Sequence, residues 1–221
     1  METRYALKEA SPVIFSYLIL GSAFGLYAHN AGIHIIWILA TSLFIYAGSM
    51  QFASVKLLTT IFNPLQAILL TLSINIRYIL YGFSLLKKYD GVKHKWYMIF
   101  ALSDESFSLV IKDIPDNLNK GKTMLIMLFL NHITWILGTF IGVVIGSALP
   151  FNTNGIEFTM TALFATILLD KLNTTTIVPV VVGTLVSIIC IILFGKEQFV
   201  IYAIVLIVIS LFAIEKRKNH E

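Results

Sequence analysis

Charged residues are scarce in this sequence, and their absence from long stretches indicates the class of protein. Asp, Glu, Lys and Arg make up 13% of the 221 residues, about half of the roughly 25% that is usual in globular proteins. Long stretches contain none of them, among them residues 10–55, 123–156, 172–195 and 198–214. A soluble helix needs a polar face towards water, and about 20 apolar residues cross a bilayer. The sequence therefore predicts an all-α, polytopic integral membrane protein.

Cysteine and the common enzyme motifs are also nearly or wholly missing. The single cysteine, Cys190, lies in an apolar stretch, which excludes a disulfide framework and a thiolate metal cluster. The five histidines show no metal-ligand spacing, so we assign no metal and no cofactor. No G-x-S-x-G, phosphate-loop or H-E-x-x-H pattern occurs, and an enzyme site of the soluble type is not supported. The net charge of +4 comes from lysines in short loops, which is typical of contact with anionic lipids rather than nucleic acid.

The apolar residues form eight segments, which we interpret as one transmembrane domain over residues 1–221. The segments lie at about 11–28, 33–62, 64–86, 96–111, 123–149, 156–170, 176–194 and 198–214. Basic residues occur before the first segment, after the third and after the last; they include Arg4, Lys8, Lys87, Lys88, Lys93, Lys95, Lys216, Arg217 and Lys218. Because cytoplasmic loops are enriched in Lys and Arg, both termini and the loop after the third segment are predicted to be cytoplasmic. The first segment is interpreted as an uncleaved span.

Eight simple crossings do not satisfy these assignments, because three full spans would place the loop after the third segment outside. The conflict disappears if the second segment enters the membrane and returns, with a break at Ala47-Gly48-Ser49. The same change in the sixth segment brings the C-terminus inside. The resulting order predicts an inverted repeat, residues 11–111 and 123–214, each with one broken helix, which is a common plan in transporters. A tilted single crossing of the second segment is the alternative.

Small residues recur at helical spacing in the first and fifth segments. Gly21 and Gly25 form a smooth face in the first segment. The stripe in the fifth segment comprises Asn131, Trp135, Gly138, Gly142 and Gly146. This spacing predicts close helix packing, and the similarity of the two patterns supports a repeat, although glycine also recurs by chance in membrane helices. The amide of Asn131 needs a polar partner in hydrocarbon, which makes it a candidate substrate ligand.

Ionisable residues inside the third and fourth segments are the strongest indication of a functional site. Arg77 follows Asn75 in the third segment, and the fourth contains Asp104 and Glu105. On insertion scales Asp and Arg each cost about 2.5–3.5 kcal/mol at the centre of a membrane helix, so such residues face a protein interior or a wet cavity. One interpretation is an ion pair that fastens the two segments together. The other is a site in which Asn75 and Arg77 bind substrate while Asp104 and Glu105 carry protons.

The proposed break in the second segment supplies a further group of polar residues. These are Tyr46, Gly48, Ser49 and Gln51. A half-helix that begins here would direct unpaired N–H groups and the positive end of its dipole towards an anion such as the carboxylate of an amino acid. The alternative is a close helix crossing in which Gln51 forms hydrogen bonds between helices.

Several of these strings together resemble the AzlC family, the large subunits of branched-chain amino acid exporters. The strings are Gly21-Ser-Ala-Phe-Gly25, Tyr46-Ala-Gly-Ser-Met-Gln51-Phe52, Asn75-Ile-Arg77-Tyr-Ile-Leu-Tyr81-Gly82 and Ser103-Asp-Glu105-Ser-Phe107. The resemblance covers about residues 11–170, and Ser103 stands where relatives often have threonine. It implies export of leucine, isoleucine and valine across a bacterial plasma membrane, together with a small membrane subunit of the AzlD type.

The leading hypothesis is therefore a multi-pass, non-enzymatic subunit of a secondary transporter, which exports branched-chain amino acids in exchange for protons. The substrate would bind at the break near Gly48 or on Arg77, and the two acids would carry or gate the proton. A passive channel for a small polar solute keeps the same architecture but needs no titrating acid. A non-transporting scaffold subunit is a third hypothesis, in which the glycine faces bind other membrane proteins.

Overall fold

Helices form the whole of the described part of the chain apart from short connections. The computed structural model describes residues 1–61, 63–148 and 177–218, with single positions between 155 and 169. The described helices are α1 (Glu2–Asn30), α2 (Ile35–Phe44), α3 (Gly48–Thr59), α4 (Pro64–Asn75), α5 (Arg77–Leu85), α6 (Lys95–Phe100), α7 (Asp104–Val110), α8 (Lys120–Ala148) and α9 (Ile177–Lys218). The all-α prediction is confirmed for these residues. The predicted sixth segment lies for the most part outside them.

Among the described residues, three helices are long and apolar enough to cross a bilayer, namely α1, α8 and the Ile177–Gly195 part of α9. The seventh and eighth apolar segments are joined in α9, which is interrupted at Gly195. The φ angle of 73° at this residue lies in the left-handed region, which glycine adopts without the steric cost that other residues meet. The interruption brings the rings of Phe194 and Tyr202 to a centroid separation of 4.1 Å, although eight positions separate them along the chain.

The chain divides into two compact units. The first contains residues 1–62 and 78–159, and the second contains residues 63–77 and 160–221. In the second unit, α4 packs against α9. The first unit holds α1, α2, α3, α6, α7, α8 and α5 from Tyr78 onwards, and it contains most of the residues that the sequence indicates as functional.

The core of the first unit is the contact between α1 and α8, and glycines make it possible. A Cβ atom on Gly25 would lie 2.1 Å from the Thr139 carbonyl oxygen, and one on Gly142 would lie 2.0 Å from that of Ser22. Both distances are well inside van der Waals contact, so only glycine allows this approach of the two backbones. The predicted packing role of the glycine faces is confirmed, and each face is occupied by the other helix.

The two long helices run parallel, and this differs from the orientation expected for an inverted repeat. Along α1, Tyr17 packs on Trp135 of α8, Gly25 packs on Thr139, and His29 lies beside Gly146. Residue numbers rise in both helices in the same direction. The prediction that the first span of each half points the opposite way is therefore wrong, and the reason lies in the fourth segment.

The second segment is broken at the predicted place and folds back on itself. Helix α2 ends before Tyr46, and α3 begins two residues after it. Gln51 of α3 forms a hydrogen bond of 3.0 Å with Ser42 of α2, and His34 and Thr59 line one common groove. These pairings are those of an antiparallel helical hairpin, so the segment returns to the end of α1 from which it started.

The fourth segment, predicted as one full span, is also a broken hairpin. The chain leaves helical geometry at Ala101–Ser103, between α6 and α7. At the end of the hairpin opposite this break, Lys88 donates hydrogen bonds to the backbone carbonyls of Ile111 and Lys112. The loops before α6 and after α7 therefore lie together, at the end where α8 begins. Because this segment returns instead of crossing, α8 starts on the same side as α1, and the two long helices are parallel.

The sequence carries a signal for this second break. Ser103 is the N-cap of α7, and its hydroxyl accepts a hydrogen bond of 3.1 Å from the Ser106 N–H. Asp104 and Glu105 then occupy the first turn, where the positive end of the helix dipole stabilises carboxylates. Serine followed by acidic residues is a typical start of a helix. In an uninterrupted helix the same carboxylates would lie in mid-helix without this stabilisation.

The hairpin geometry predicts which surface positions share a side of the membrane. With Cys190 replaced by serine, single cysteines at Ala31 and Thr60 should react with an impermeant maleimide from one side. Cysteines at Lys93 and Asp113 should react from the opposite side, because both flank the second hairpin. Labelling of intact and of permeabilised cells separates the two sides. If the cysteines that replace Ala31 and Thr60 were labelled from different sides, this result would contradict the first hairpin.

Candidate functional site

The tips of the two hairpins meet beside the middle of α1 and α8. The ring of Tyr46, at the first tip, lies 6.3 Å from that of Phe100 at the second, measured between centroids. It lies 4.5 Å from the His132 ring on α8 and 6.4 Å from the Tyr17 ring on α1. Two elements that enter from opposite ends thus approach each other in the interior of the first unit, and polar side chains surround the junction.

The first tip is held in an unusual backbone conformation. Tyr46 has a φ angle of 46°, which is uncommon for a residue other than glycine and persists only where the surroundings determine it. The side chain is buried, with 3% exposed. Gly48 and Ser49 follow as the first residues of α3, so the N-terminal turn of α3 lies at this tip, as the sequence predicts.

Gln51 connects the two halves of the first hairpin to α8. Its amide nitrogen donates to the hydroxyls of Ser42 at 3.0 Å and Thr41 at 3.2 Å, and its amide oxygen accepts from the Trp135 indole at 3.0 Å. Ser42 is also paired with Thr139 at 2.9 Å. Both amide hydrogens and one oxygen lone pair are therefore engaged by protein groups. This arrangement favours the interhelical role of Gln51, and its role as a substrate ligand stays a prediction.

A chain of hydroxyls leads to Glu105 at the second tip. The Tyr17 hydroxyl donates to Glu105 Oε2 at 2.7 Å and lies 2.5 Å from Ser103 Oγ. A phenol has one proton to donate, so with ionised Glu105 the Ser103 hydroxyl donates to Tyr17 and Tyr17 donates to the carboxylate. If Glu105 is protonated, every donor in the chain can reverse. The arrangement can therefore accept a proton at Glu105 without rearranging heavy atoms.

The other predicted acid has its own tyrosine partner. The Tyr81 hydroxyl of α5 donates to Asp104 Oδ1 at 2.5 Å, and the Tyr81 ring stacks on Phe107 at 4.3 Å. The two neighbouring acids thus bond to tyrosines of different helices, α5 for Asp104 and α1 for Glu105. Both acids are half-buried, and each is held by a tyrosine hydroxyl.

Asn131 and His132 complete the junction from α8. The Asn131 amide nitrogen donates to Ser106 Oγ at 3.0 Å, which ties α8 to α7. His132 Nδ1 lies 3.1 Å from the Tyr97 hydroxyl of α6. Asn131 is fully buried and His132 is 5% exposed. Asn131 is a predicted site residue, whereas His132 is not among the predicted ones.

The structure therefore brings together Tyr46, Gly48, Ser49, Gln51, Asp104, Glu105 and Asn131. It does not test the predicted roles of Asn75 and Arg77, which end α4 and begin α5 and belong to the second unit. Sequence reasoning missed Tyr17, which carries no signal beyond being a polar aromatic residue in an apolar span. His132 could have been noticed because it follows Asn131 directly on a helix that contains no charged residue after Lys122.

Comparison with known proteins identifies the family of the chain. A family model described as "AzlC protein" matches residues 12–149, the region from α1 to the end of α8. The chain belongs to the AzlC family. The "Branched-chain amino acid transport protein AzlC" of Bacillus subtilis is 39% identical over 207 residues, which cover 92% of this chain and 82% of that protein. No solved structure matches the chain.

Other AzlC-like relatives are named only as membrane proteins. An "Uncharacterized membrane protein" of Haemophilus influenzae is 39% identical over 195 residues, 86% of this chain and 80% of its own. An "Uncharacterized membrane protein" of Helicobacter pylori is 32% identical over 219 residues, which cover 96% of this chain and 96% of that protein. Together with the three long apolar helices, these relatives identify this AzlC-family chain as a membrane protein. The matched region contains both hairpins and the α1–α8 core, so the junction lies in the part that defines the family.

Proposed function

We propose that the chain is a secondary transporter subunit that exports branched-chain amino acids across the bacterial plasma membrane in exchange for protons. The observation that carries the proposal is the meeting of two broken helices from opposite ends, with Glu105 at the contact. Discontinuous helices around a central site are the usual construction of secondary transporters. The substrate class comes from the Bacillus subtilis relative, which is named for branched-chain amino acid transport.

The two broken helices provide different functions in this proposal. The N-terminal turn of α3, at Gly48 and Ser49, offers backbone N–H groups and a positive dipole end to the substrate carboxylate. The corresponding turn of α7 already holds the carboxylates of Asp104 and Glu105, so this tip serves the proton. Asn75 and Arg77 are proposed as further substrate ligands. Aromatic residues at the junction, among them Phe100, supply apolar surface for a branched side chain.

The geometry favours a carrier over the two alternative functions. The polar atoms of Tyr46, Asn131 and His132 at the junction are closed to solvent, whereas a channel needs a continuous wet path. Transport then requires the two tips to separate alternately towards each end. The glycine faces of α1 and α8 pack on each other, so they are not available as the partner-binding surfaces of a scaffold.

The charge distribution supports an orientation in which the N-terminus of α1 and the start of α8 face the cytoplasm. Glu2 at the start of α1 interacts electrostatically with Lys122 at the start of α8, so the N-terminus and the loops flanking the second hairpin share one end. That end of the first unit carries nine basic residues: Arg4, Lys8, Lys87, Lys88, Lys93, Lys95, Lys112, Lys120 and Lys122. Such an excess is typical of the cytoplasmic side. An AzlD-type subunit is proposed on the family resemblance alone.

Flux in proteoliposomes tests the proposal. Purified protein, with and without a small AzlD-type subunit, should move labelled leucine in a saturable manner, and an imposed pH gradient should drive its accumulation. Protein-free vesicles are the control. Flux that rises linearly with leucine concentration would favour a channel instead. Saturable flux that is indifferent to the pH gradient would remove the proton coupling but keep the carrier.

A further inference from the structure

An apolar groove lies between α6 and the first turns of α8, near the end of the first unit at which α8 begins. Its volume is about 440 Å³, and it is lined by His94, Tyr97, Leu125, Ile126 and Phe129. Phe129 is 52% exposed, so the groove opens to the surroundings of the protein. Because most of this lining is hydrocarbon or aromatic, the groove suits an apolar chain better than a polar solute.

Lysines stand beside the groove. Lys93 and Lys95 flank His94 along the chain, and both side chains are exposed. Neither has a salt-bridge partner among the described residues. Lys122 lies three positions before Leu125 on α8, a spacing that places two residues on one face of a helix. An apolar groove thus has basic side chains along its border.

Positive charge exceeds negative charge at this end of the first unit, which we call the basic end. Nine basic residues face five acidic ones, which are Glu2, Glu9, Asp90, Asp113 and Asp116. Two of these acids already pair with Lys88 and Lys120, and Glu2 interacts with Lys122. The two lysines that flank His94 are therefore the ones best placed to bind an anion at the groove.

Aromatic residues indicate the depth of the groove in the membrane. Trp96 on α6 is 78% exposed, and Lys95 Nζ lies 5.9 Å from the centre of its ring. Tryptophan and tyrosine are enriched at the level of the lipid headgroups, and lysine reaches this level while its stem covers apolar surface. From there the groove follows α8 from Leu125 to Phe129, into the apolar part of a helix that is long enough to cross the bilayer.

We infer that this groove is a binding site for an anionic phospholipid, whose acyl chain lies between α6 and α8 and whose phosphate binds Lys93 and Lys95. Basic pockets between membrane helices bind anionic headgroups in this manner. The ligand is a lipid rather than a free phosphate, because only a chain can cover the apolar lining. The site goes beyond a general attraction of lysines to the membrane surface, and it does not depend on the proposed transport.

The two exposed tryptophans allow the groove to be compared with another surface of the same protein. Trp37→Phe leaves Trp96 as the exposed fluorophore. Trp96→Phe leaves Trp37, which is 67% exposed and lines a second groove, whose described lining contains no Lys or Arg. Trp135 is 3% exposed and gives the same background in both variants.

The measurement is quenching of tryptophan fluorescence by brominated lipids in phosphatidylcholine bilayers. Brominated phosphatidylglycerol, which is anionic, is compared with brominated phosphatidylcholine. At Trp96 we expect a preference for phosphatidylglycerol of about fivefold, the effect of about one basic residue near an anionic surface. At Trp37 the preference should be clearly smaller. Equal preferences at the two tryptophans, or none at Trp96, would overturn the inference.

A double variant tests the lysines directly. In the Trp37→Phe background, Lys93→Gln with Lys95→Gln should abolish the preference at Trp96. The matched control, Lys8→Gln with Lys87→Gln, removes the same charge from exposed positions of the basic end and should keep it. A preference that survives in the first variant overturns the site. Equal loss in both variants would show a diffuse attraction to the basic end, and would also overturn it.

Two further outcomes identify other occupants of the groove. Inorganic phosphate at millimolar concentration should not relieve the quenching of Trp96 by phosphatidylglycerol; if it does, the lysines bind phosphate without help from the groove, and the inference fails. It also fails if neither brominated lipid quenches Trp96, because another protein surface then covers this face. All substituted positions are exposed, so the melting temperatures of the variants should equal that of the wild type. The comparison of Trp96 with Trp37 needs no lysine variant.

Discussion

Replacement of Glu105 by glutamine is expected to abolish accumulation driven by a pH gradient. The glutamine amide oxygen can still accept the hydrogen bond that Tyr17 donates to Glu105 at 2.7 Å, so the tip should keep its structure. An amide cannot take up a proton at neutral pH, however. We expect leucine accumulation to fall to the level of protein-free vesicles, while exchange of internal for external leucine without a pH gradient continues.

The measurement is uptake of labelled leucine into proteoliposomes with and without an imposed pH gradient. Asp113→Asn is the matched control, because this carboxylate is fully exposed in the loop after α7 and should not affect coupling. Asp104→Asn, made in parallel, shows whether the second acid takes part. Proton-driven accumulation at the wild-type level in both Glu105→Gln and Asp104→Asn would return the two acids to a purely structural role.

Among substitutions that add a single methyl group to the first unit, Gly142→Ala is expected to lower the stability most. The added Cβ would lie 2.0 Å from the Ser22 carbonyl oxygen, and both groups are attached to rigid helix backbone. The helices α1 and α8 would have to move apart along their whole contact. Overpacking typically costs about 1–3 kcal/mol, and a backbone-to-backbone clash belongs at the upper end of this range.

Gly183→Ala provides a control with the same chemistry and the opposite expected sign. A Cβ on Gly183 in α9 meets no atom of the described residues within 4 Å, and alanine is intrinsically better in a helix than glycine by about 1 kcal/mol. We expect a lower melting temperature and less monodisperse protein for Gly142→Ala, and no loss for Gly183→Ala. Equal behaviour of the two variants would contradict the close packing of α1 on α8.

The comparison of sequence and structure shows which kinds of signal were sufficient. The break after Tyr46 was predictable because glycine and serine interrupt an apolar segment that is too long for one crossing. The glycine faces were predictable because small residues at helical spacing have one common use in membranes. The break before Asp104 was missed because the 96–111 segment has an ordinary length. Its serine cap and acidic first turn were nevertheless present in the sequence.

The functional site was predicted in part, since its components differ in how unusual they are in an apolar span. Asp104, Glu105 and Asn131 are costly in hydrocarbon and were therefore identified from the sequence. Tyr17 and His132 are ordinary enough in membrane helices that only their neighbours give them a role. The role of Gln51 depends on Trp135 and Ser42, which lie 84 and 9 positions away, and no local pattern connects the three.

The sequence by itself determined that this chain lies in a membrane, because the insertion energy of each segment depends only on its own residues and their length. It also determined that a few ionisable groups must be shielded from lipid. Only the tertiary structure decided that α1 and α8 are parallel, that two hairpins meet beside them, and that Tyr17 shares a hydrogen bond with Glu105. These features depend on contacts between residues far apart in the chain, and such contacts leave no pattern within a single segment.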